Sequence, residues 1–131
     1  MSKPVILCVD DEIFVLNSLK IQLKNELGDA YLYEVAESAD EAMELIEELK
    51  ENEASILVIV SDWFMPGIKG DEFLIKVHEK YPNIIKVMLT GQADESAIER
   101  VKMQADLHSC LSKPWDKEQL IETIKSGIEK L

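Results

Sequence analysis

Short apolar runs alternate along the whole chain with longer stretches in which apolar residues recur every three or four positions. Residues 5–9, 31–36, 56–61, 84–89 and 107–111 form the runs, rich in Val, Ile, Leu and aromatics. Runs of that length without polar alternation predict strands covered on both faces. Between them, Ile13, Leu16, Leu19, Leu23 and Leu27 keep helical spacing, and Gly28 supplies a C-terminal stop. Ser38 and Glu41 form a capping box that opens a helix carrying Ala42, Leu45, Ile46 and Leu49. Helices are predicted over 71–80 and 94–104, with Asp94 as the N-cap of the second. Asp116 with Gln119 opens a last helix along Leu120, Ile124 and Ile128.

Five strand–helix repeats predict an α/β fold, a doubly wound parallel sheet with helices on both faces. Nothing along residues 1–131 reads as a linker, repeat or low-complexity segment, so the expectation is one domain. Hydrophobic residues at 47% and charged residues at 31% suit a globular core and exclude a disordered chain. The longest apolar runs, such as 55–60, are too short to span a bilayer. No charged leader with an apolar stretch follows Met-Ser-Lys-Pro, and a cytoplasmic location is expected. Cys8 and Cys110 have no metal-ligand spacing and are expected as buried, reduced thiols.

The formal charge of −12, with 26 acids against 14 bases and no basic stripe, argues against direct nucleic-acid contact. Much of that acidity, for example Glu47, Glu48, Glu51 and Glu53, reads as solvated helix surface. Functional acids have to be found by position. In open sheets of this class, ligands sit beyond the carboxyl ends of the strands. The first strand is followed by Asp10, Asp11 and Glu12, and the third by Asp62 in Ser-Asp-Trp-Phe-Met-Pro-Gly. The fourth ends at Thr90-Gly91 and the fifth at Lys113-Pro114. The second, at an edge, ends in Glu37-Ser38 and reads only as a helix start.

Each of these residues has an ordinary structural reading. Asp10 or Asp11 could cap the first helix, Asp62 could form a turn before Pro66-Gly67, and Lys113 could be a solvated lysine. Their convergence carries more weight than any one of them. One sheet edge would hold three carboxylates, one hydroxyl and one ammonium group, and Lys113 alone cannot balance three acids. A hard divalent cation with oxygen ligands is implied, Mg²⁺ being usual where a phosphate joins it. A carboxylate nucleophile, a metal and a lysine are the parts of a phosphoryl-transfer site that forms an acyl phosphate.

From Val5 to about Lys130, the sequence resembles the response-regulator receiver domains of two-component signalling. The resemblance rests on Val9-Asp10-Asp11-Glu12, Asp62 with Met65-Pro66-Gly67, Leu89-Thr90-Gly91 and Lys113-Pro114. It implies a flavodoxin-like sheet of order 2-1-3-4-5 with five helices. It also implies that Asp62 takes a phosphoryl group from a phosphohistidine on a sensor histidine kinase or histidine phosphotransfer protein. Asp11, Asp62 and the backbone carbonyl of Phe64 would ligate Mg²⁺ directly, and Asp10 through a water. Lys113 would pair with Asp62 and then with the phosphoryl group, toward which Thr90 would swing. The family also commonly has a cis peptide before the proline, here Lys113–Pro114.

Phe64 is bulky where many relatives carry a polar residue; with Gln92 it would flank the path of the hydrolysing water. Cys110 departs from the family, which usually has Tyr or Phe there, and cannot reproduce the inward turn of a ring. Trp115 is expected as a surface contact or partly packed residue, and His78 and His108 match no family role. One rival is a phosphohydrolase of the haloacid-dehalogenase type. That class has a second Asp two residues after its nucleophile, where this chain has adjacent acids and Glu12. The other is a degenerate receiver that binds partners without being phosphorylated, against which all five chemical positions are filled. The output, whether a protein target or a fused domain, has no signature in these residues.

Overall fold

The computed structural model of the chain describes residues 3–91 and 95–131. Five strands alternate with five α-helices: β1 (Val5–Val9), α1 (Ile13–Leu27), β2 (Leu32–Ala36), α2 (Ala39–Glu51), β3 (Ile56–Asp62), α3 (Gly70–Lys80), β4 (Ile85–Thr90), α4 (Glu95–Ala105), β5 (Ser109–Ser112) and α5 (Lys117–Glu129). The sheet is parallel, in the order β2-β1-β3-β4-β5. The expected topology is therefore the observed one, with β2 at an edge. No helix among the described residues is long and apolar enough to cross a membrane.

Side chains alternate across each strand, so the sheet needs a core on both faces. One face buries Leu7, Val9, Ile59 and Met88 against Ala42 and Ile46 of α2, Phe73 and Val77 of α3, and Val101 of α4. The other buries Ile6, Cys8, Val58, Val60 and Leu89 against Leu16, Leu19 and Leu23 of α1 and Leu120 and Ile124 of α5. Each fully buried aliphatic contributes roughly 1.5–3 kcal/mol of transfer free energy. That is why the helices keep their three-and-four spacing wherever they meet the sheet.

The boundaries differ from the sequence pattern where local hydrogen bonding intervenes. A 3-10 turn over Gly28–Ala30 prolongs the end of α1, so β2 begins at Leu32 instead of Tyr31. Gly28 has φ +78 and its N–H reaches the carbonyl of Lys24, as a helix stop requires. β5 begins two residues later than its apolar run, because only Ser109 onward pairs with β4. β3 extends one residue further, to Asp62, paired with Leu89.

Ser38 caps α2 by accepting the N–H of Glu41, but the Glu41 carboxylate returns to the N–H of Glu37, not Ser38. Asp116 caps α5 by accepting the N–H of Glu118. The predicted cap Asp94 lies outside the described residues. The Lys113–Pro114 peptide is cis, as the family pattern implied.

Candidate functional site

Register alone brings the polar strand ends together. Val9 of β1 pairs with Ser61 of β3, so the next residues, Asp10 and Asp62, emerge side by side. Asp62 pairs with Leu89, and Thr90 with Ser112, which sets Thr90 and Lys113 along the same edge. β1 is the strand at which the chain reverses its direction of growth, the switch point where such sheets bind ligands.

Asp10 is fully buried and is not the N-cap of α1; Glu12 occupies that position without a side-chain cap. Asp10 Oδ1 accepts the N–H of Glu12 at 2.9 Å, and Oδ2 accepts from Lys113 Nζ at 2.6 Å. Lys113 also reaches Asp62 Oδ1 at 3.1 Å, so its ammonium bridges two carboxylates and is no solvated loop lysine. Asp62 is the last residue of β3 and mostly buried, not a turn former. Carboxylate oxygens of Asp10, Asp11 and Asp62 lie within 4.8 Å of one another. Asp11 and Asp62 open onto a recess of about 560 Å³, lined also by Glu12, Phe64, Gly91 and Lys113.

The electrostatics follow from this crowding. Burial raises the pKa of Asp62 above 3.8 and the nearby charge of Asp10 raises it further; the charge and hydrogen bond of Lys113 only partly offset them. Burial opposes the charge on Lys113, but its bonds and attraction to Asp10 and Asp62 outweigh that and raise its pKa. Behind the site, burial pushes the Cys8 thiol up to about 12, with Asp10 adding to the effect. Three carboxylates crowd around one ammonium, and among the described residues no second cationic side chain forms an ion pair with them.

The loop after Asp62 is held at two points. Met65 is buried in the core, and Gly67 turns the chain with φ +80, a conformation open to glycine. The N–H of Gly70 then returns to the carbonyl of Trp63 at 2.8 Å. Phe64 is left 52% exposed, at the wall of the recess, with Lys69 Nζ 5.1 Å from its ring centroid.

Of the other expected residues, Thr90 closes β4, and its carbonyl accepts the N–H of Lys113 at 3.0 Å. Gln92 lies outside the described residues. Cys110 pairs with Met88 on the side of α4; it is half-buried, unlike Cys8, and burial raises its thiol pKa. Trp115 is partly buried against the core on the α1 and α5 side of the sheet and donates its indole N–H to Gln22 at 2.8 Å, so it is core as much as surface. His108 joins Thr123, Ser126 and Lys130 near the far end of α5, away from the carboxylates. Sequence reasoning missed Gly70, the Gln22–Trp115 tie, and the 2.6 Å ion pair of Arg100 on α4 with Asp71 on α3. All three depend on approaches between elements that no local pattern encodes.

Residues 6–125 match the response regulator receiver domain family, and the chain belongs to that family. It is 32% identical over 124 residues to the hydrogenase transcriptional regulatory protein HoxA of Cupriavidus necator. That alignment takes in 95% of this chain but 24% of HoxA, so the chain spans about a quarter of this relative. Chemotaxis protein CheY-3 of Vibrio cholerae is 28% identical over 96% of this chain and 92% of its own length. The signal receiver domain of an HD domain-containing protein from Pseudomonas fluorescens superposes with a TM-score of 0.87 at 26% identity, covering 98% of this chain and 97% of that one. Membership of this family makes the chain a module of two-component signalling.

Proposed function

We propose that Asp62 is the phosphoacceptor, loaded from a phosphohistidine of a sensor histidine kinase or histidine phosphotransfer protein. The observation that carries this reading is the single point on which three carboxylates and Lys113 close. Their donor set fits Mg²⁺: hard oxygens within 4.8 Å of one another, and a charge excess that one ammonium leaves uncompensated. Asp11, Asp62 and the carbonyl of Phe64 would hold the ion directly. Asp10, with both carboxylate oxygens already engaged, is left to act through a water. When bound, the ion supplies charge neutralisation to the phosphoryl oxygens and favours the ionised form of Asp62.

The chain's own residues do the rest. Ionised Asp62 attacks phosphorus, the P–N bond to the donor imidazole breaks, and the electron pair leaves with the nitrogen. Lys113, held between Asp10 and Asp62, is placed to neutralise the charge of the transferred group. Thr90, at the end of the neighbouring strand, supplies a hydroxyl to that group. Phe64, at the wall of the recess, restricts the water that would hydrolyse the acyl phosphate. Its change of partner binding, or of an attached output domain, is the output. Cys110 stands where a ring would otherwise carry the movement. The chain turns over no separate substrate, and its working location is the cytoplasm.

Titration with beryllofluoride in the presence of Mg²⁺, a mimic of the acyl phosphate, tests the reading. Saturable binding that is lost in Asp62→Asn is expected. No binding to the native chain would favour the degenerate, phosphorylation-independent module.

A further inference from the structure

The ammonium of Lys113 must bridge Asp10 and Asp62 at 2.6 and 3.1 Å, yet it hangs on four flexible methylenes. Its precision therefore depends on where its backbone is fixed. On one side the answer is the sheet: the N–H of Lys113 bonds the carbonyl of Thr90 at 3.0 Å, the last rung beyond the Thr90–Ser112 pair. On the other side the chain leaves the sheet, and Pro114 has no N–H with which to tie it. The next hold is Trp115, whose indole N–H reaches Gln22 Oε1 on α1 at 2.8 Å. One helical turn along α1, Glu26 takes Lys117 at 3.1 Å, but that pair is half-exposed at both ends and contributes little.

We propose that Gln22 and Trp115 are positioning residues for Lys113, fixing the loop that presents its ammonium to the phosphoryl group on Asp62. The inference rests on the phosphoacceptor reading above. Ring packing alone does not account for the contact. A phenyl group would keep most of the apolar packing against the core without directing the loop, whereas the N–H to carbonyl bond fixes which way the indole faces. The same tie connects α1 to the lysine, so the helix that borders the recess at Glu12 also sets the geometry of its cation.

The role separates from plain stability because Lys113 touches the phosphoryl group but is not among the metal ligands. Calorimetric titration of the native chain, Gln22→Leu, Trp115→Phe, the double variant and Gln22→Glu tests it, first with Mg²⁺ alone and then with beryllofluoride at saturating Mg²⁺. Losing one partly buried hydrogen bond weakens beryllofluoride binding about fivefold in Gln22→Leu and in Trp115→Phe. The double variant loses no more than either single one, since both remove the same bond. Gln22→Glu, which keeps an acceptor oxygen, binds within about twofold of the native chain, and Mg²⁺ affinity stays within about twofold throughout. Native-like beryllofluoride binding by Gln22→Leu and Trp115→Phe would overturn the assignment, as would equal losses for Mg²⁺ and beryllofluoride. Failure of the native chain itself to bind beryllofluoride would overturn the phosphoacceptor reading, and the positioning role with it.

Discussion

Gly70→Ala is the substitution that most directly probes how the loop after Asp62 is fixed. Gly70 is the first residue of α3, and its N–H bonds the carbonyl of Trp63. A methyl group there would stand 2.8 Å from Trp63 Cα and 2.9 Å from the carbonyl carbon of Asp62, with the Asp62 carbonyl oxygen nearer still. Non-bonded heavy atoms rest at roughly 3.5–4.0 Å, so the start of α3 must withdraw from the end of β3 by about an ångström. Both neighbours are backbone, and no side chain can swing aside. Forced overpacking of this kind costs about 3 kcal/mol, and the conformational gain from replacing glycine returns only about 0.5–1 kcal/mol. The net loss of about 2 kcal/mol lowers the midpoint of thermal unfolding by about 8 °C for a chain of this size. Because the crowded atoms belong to Asp62, the proposed phosphoacceptor, beryllofluoride affinity is expected to fall too. Gly91→Ala is the control for thermal unfolding: among the described residues the nearest atom its methyl would meet is Lys113 Cβ, at an ordinary 3.9 Å. A Gly70→Ala midpoint within about 2 °C of native, with unchanged beryllofluoride binding, would refute the close-approach account.

Asp62→Asn raises the unfolding midpoint at pH 7 without divalent cations, because the ionised carboxylate is disfavoured by burial and by Asp10. The folded pKa lies above the unfolded one, so native stability falls as pH rises between the two values. The advantage of the variant should fade as pH drops below that window, and Mg²⁺ should erase it; midpoints measured across pH with and without Mg²⁺ check both. Phe64→Asn shortens the life of the acyl phosphate by opening the wall of the recess, followed as loss of phosphorylated chain with time; an equal or longer life would dismiss the obstruction. In thiol labelling at pH 8, half-buried Cys110 reacts slowly and Cys8 only after unfolding, since its pKa is pushed to about 12. Equal rates would contradict the placement of Cys8.

The topology was legible because five apolar runs alternate with helical spacing, and each strand is covered on both faces. The site was legible for the same reason. Once strands are parallel, residues at their carboxyl ends share an edge; Asp62 and Thr90 end their strands, and Asp10, Asp11 and Lys113 come just after theirs. What stayed hidden belongs to the third dimension. Asp10 could be taken for a cap until its burial and its bond to Lys113 were seen. Gly70 looks like an ordinary helix start, yet its backbone leaves no room for a methyl group. Gln22 and Trp115 are separated by 93 positions, and nothing local in either segment announces their bond. The start of β5 was misplaced because Leu107 is apolar for packing, while pairing begins only at Ser109.

The most direct test of Asp62 as phosphoacceptor is the intact mass of the chain after incubation with Mg²⁺ and acetyl phosphate, a small acyl phosphate donor. One hydroxylamine-labile phosphoryl group per native chain is expected, with none when Mg²⁺ is chelated and none in Asp62→Ala. A native chain that stays unmodified, or an Asp62→Ala chain that takes up the same group, would contradict it.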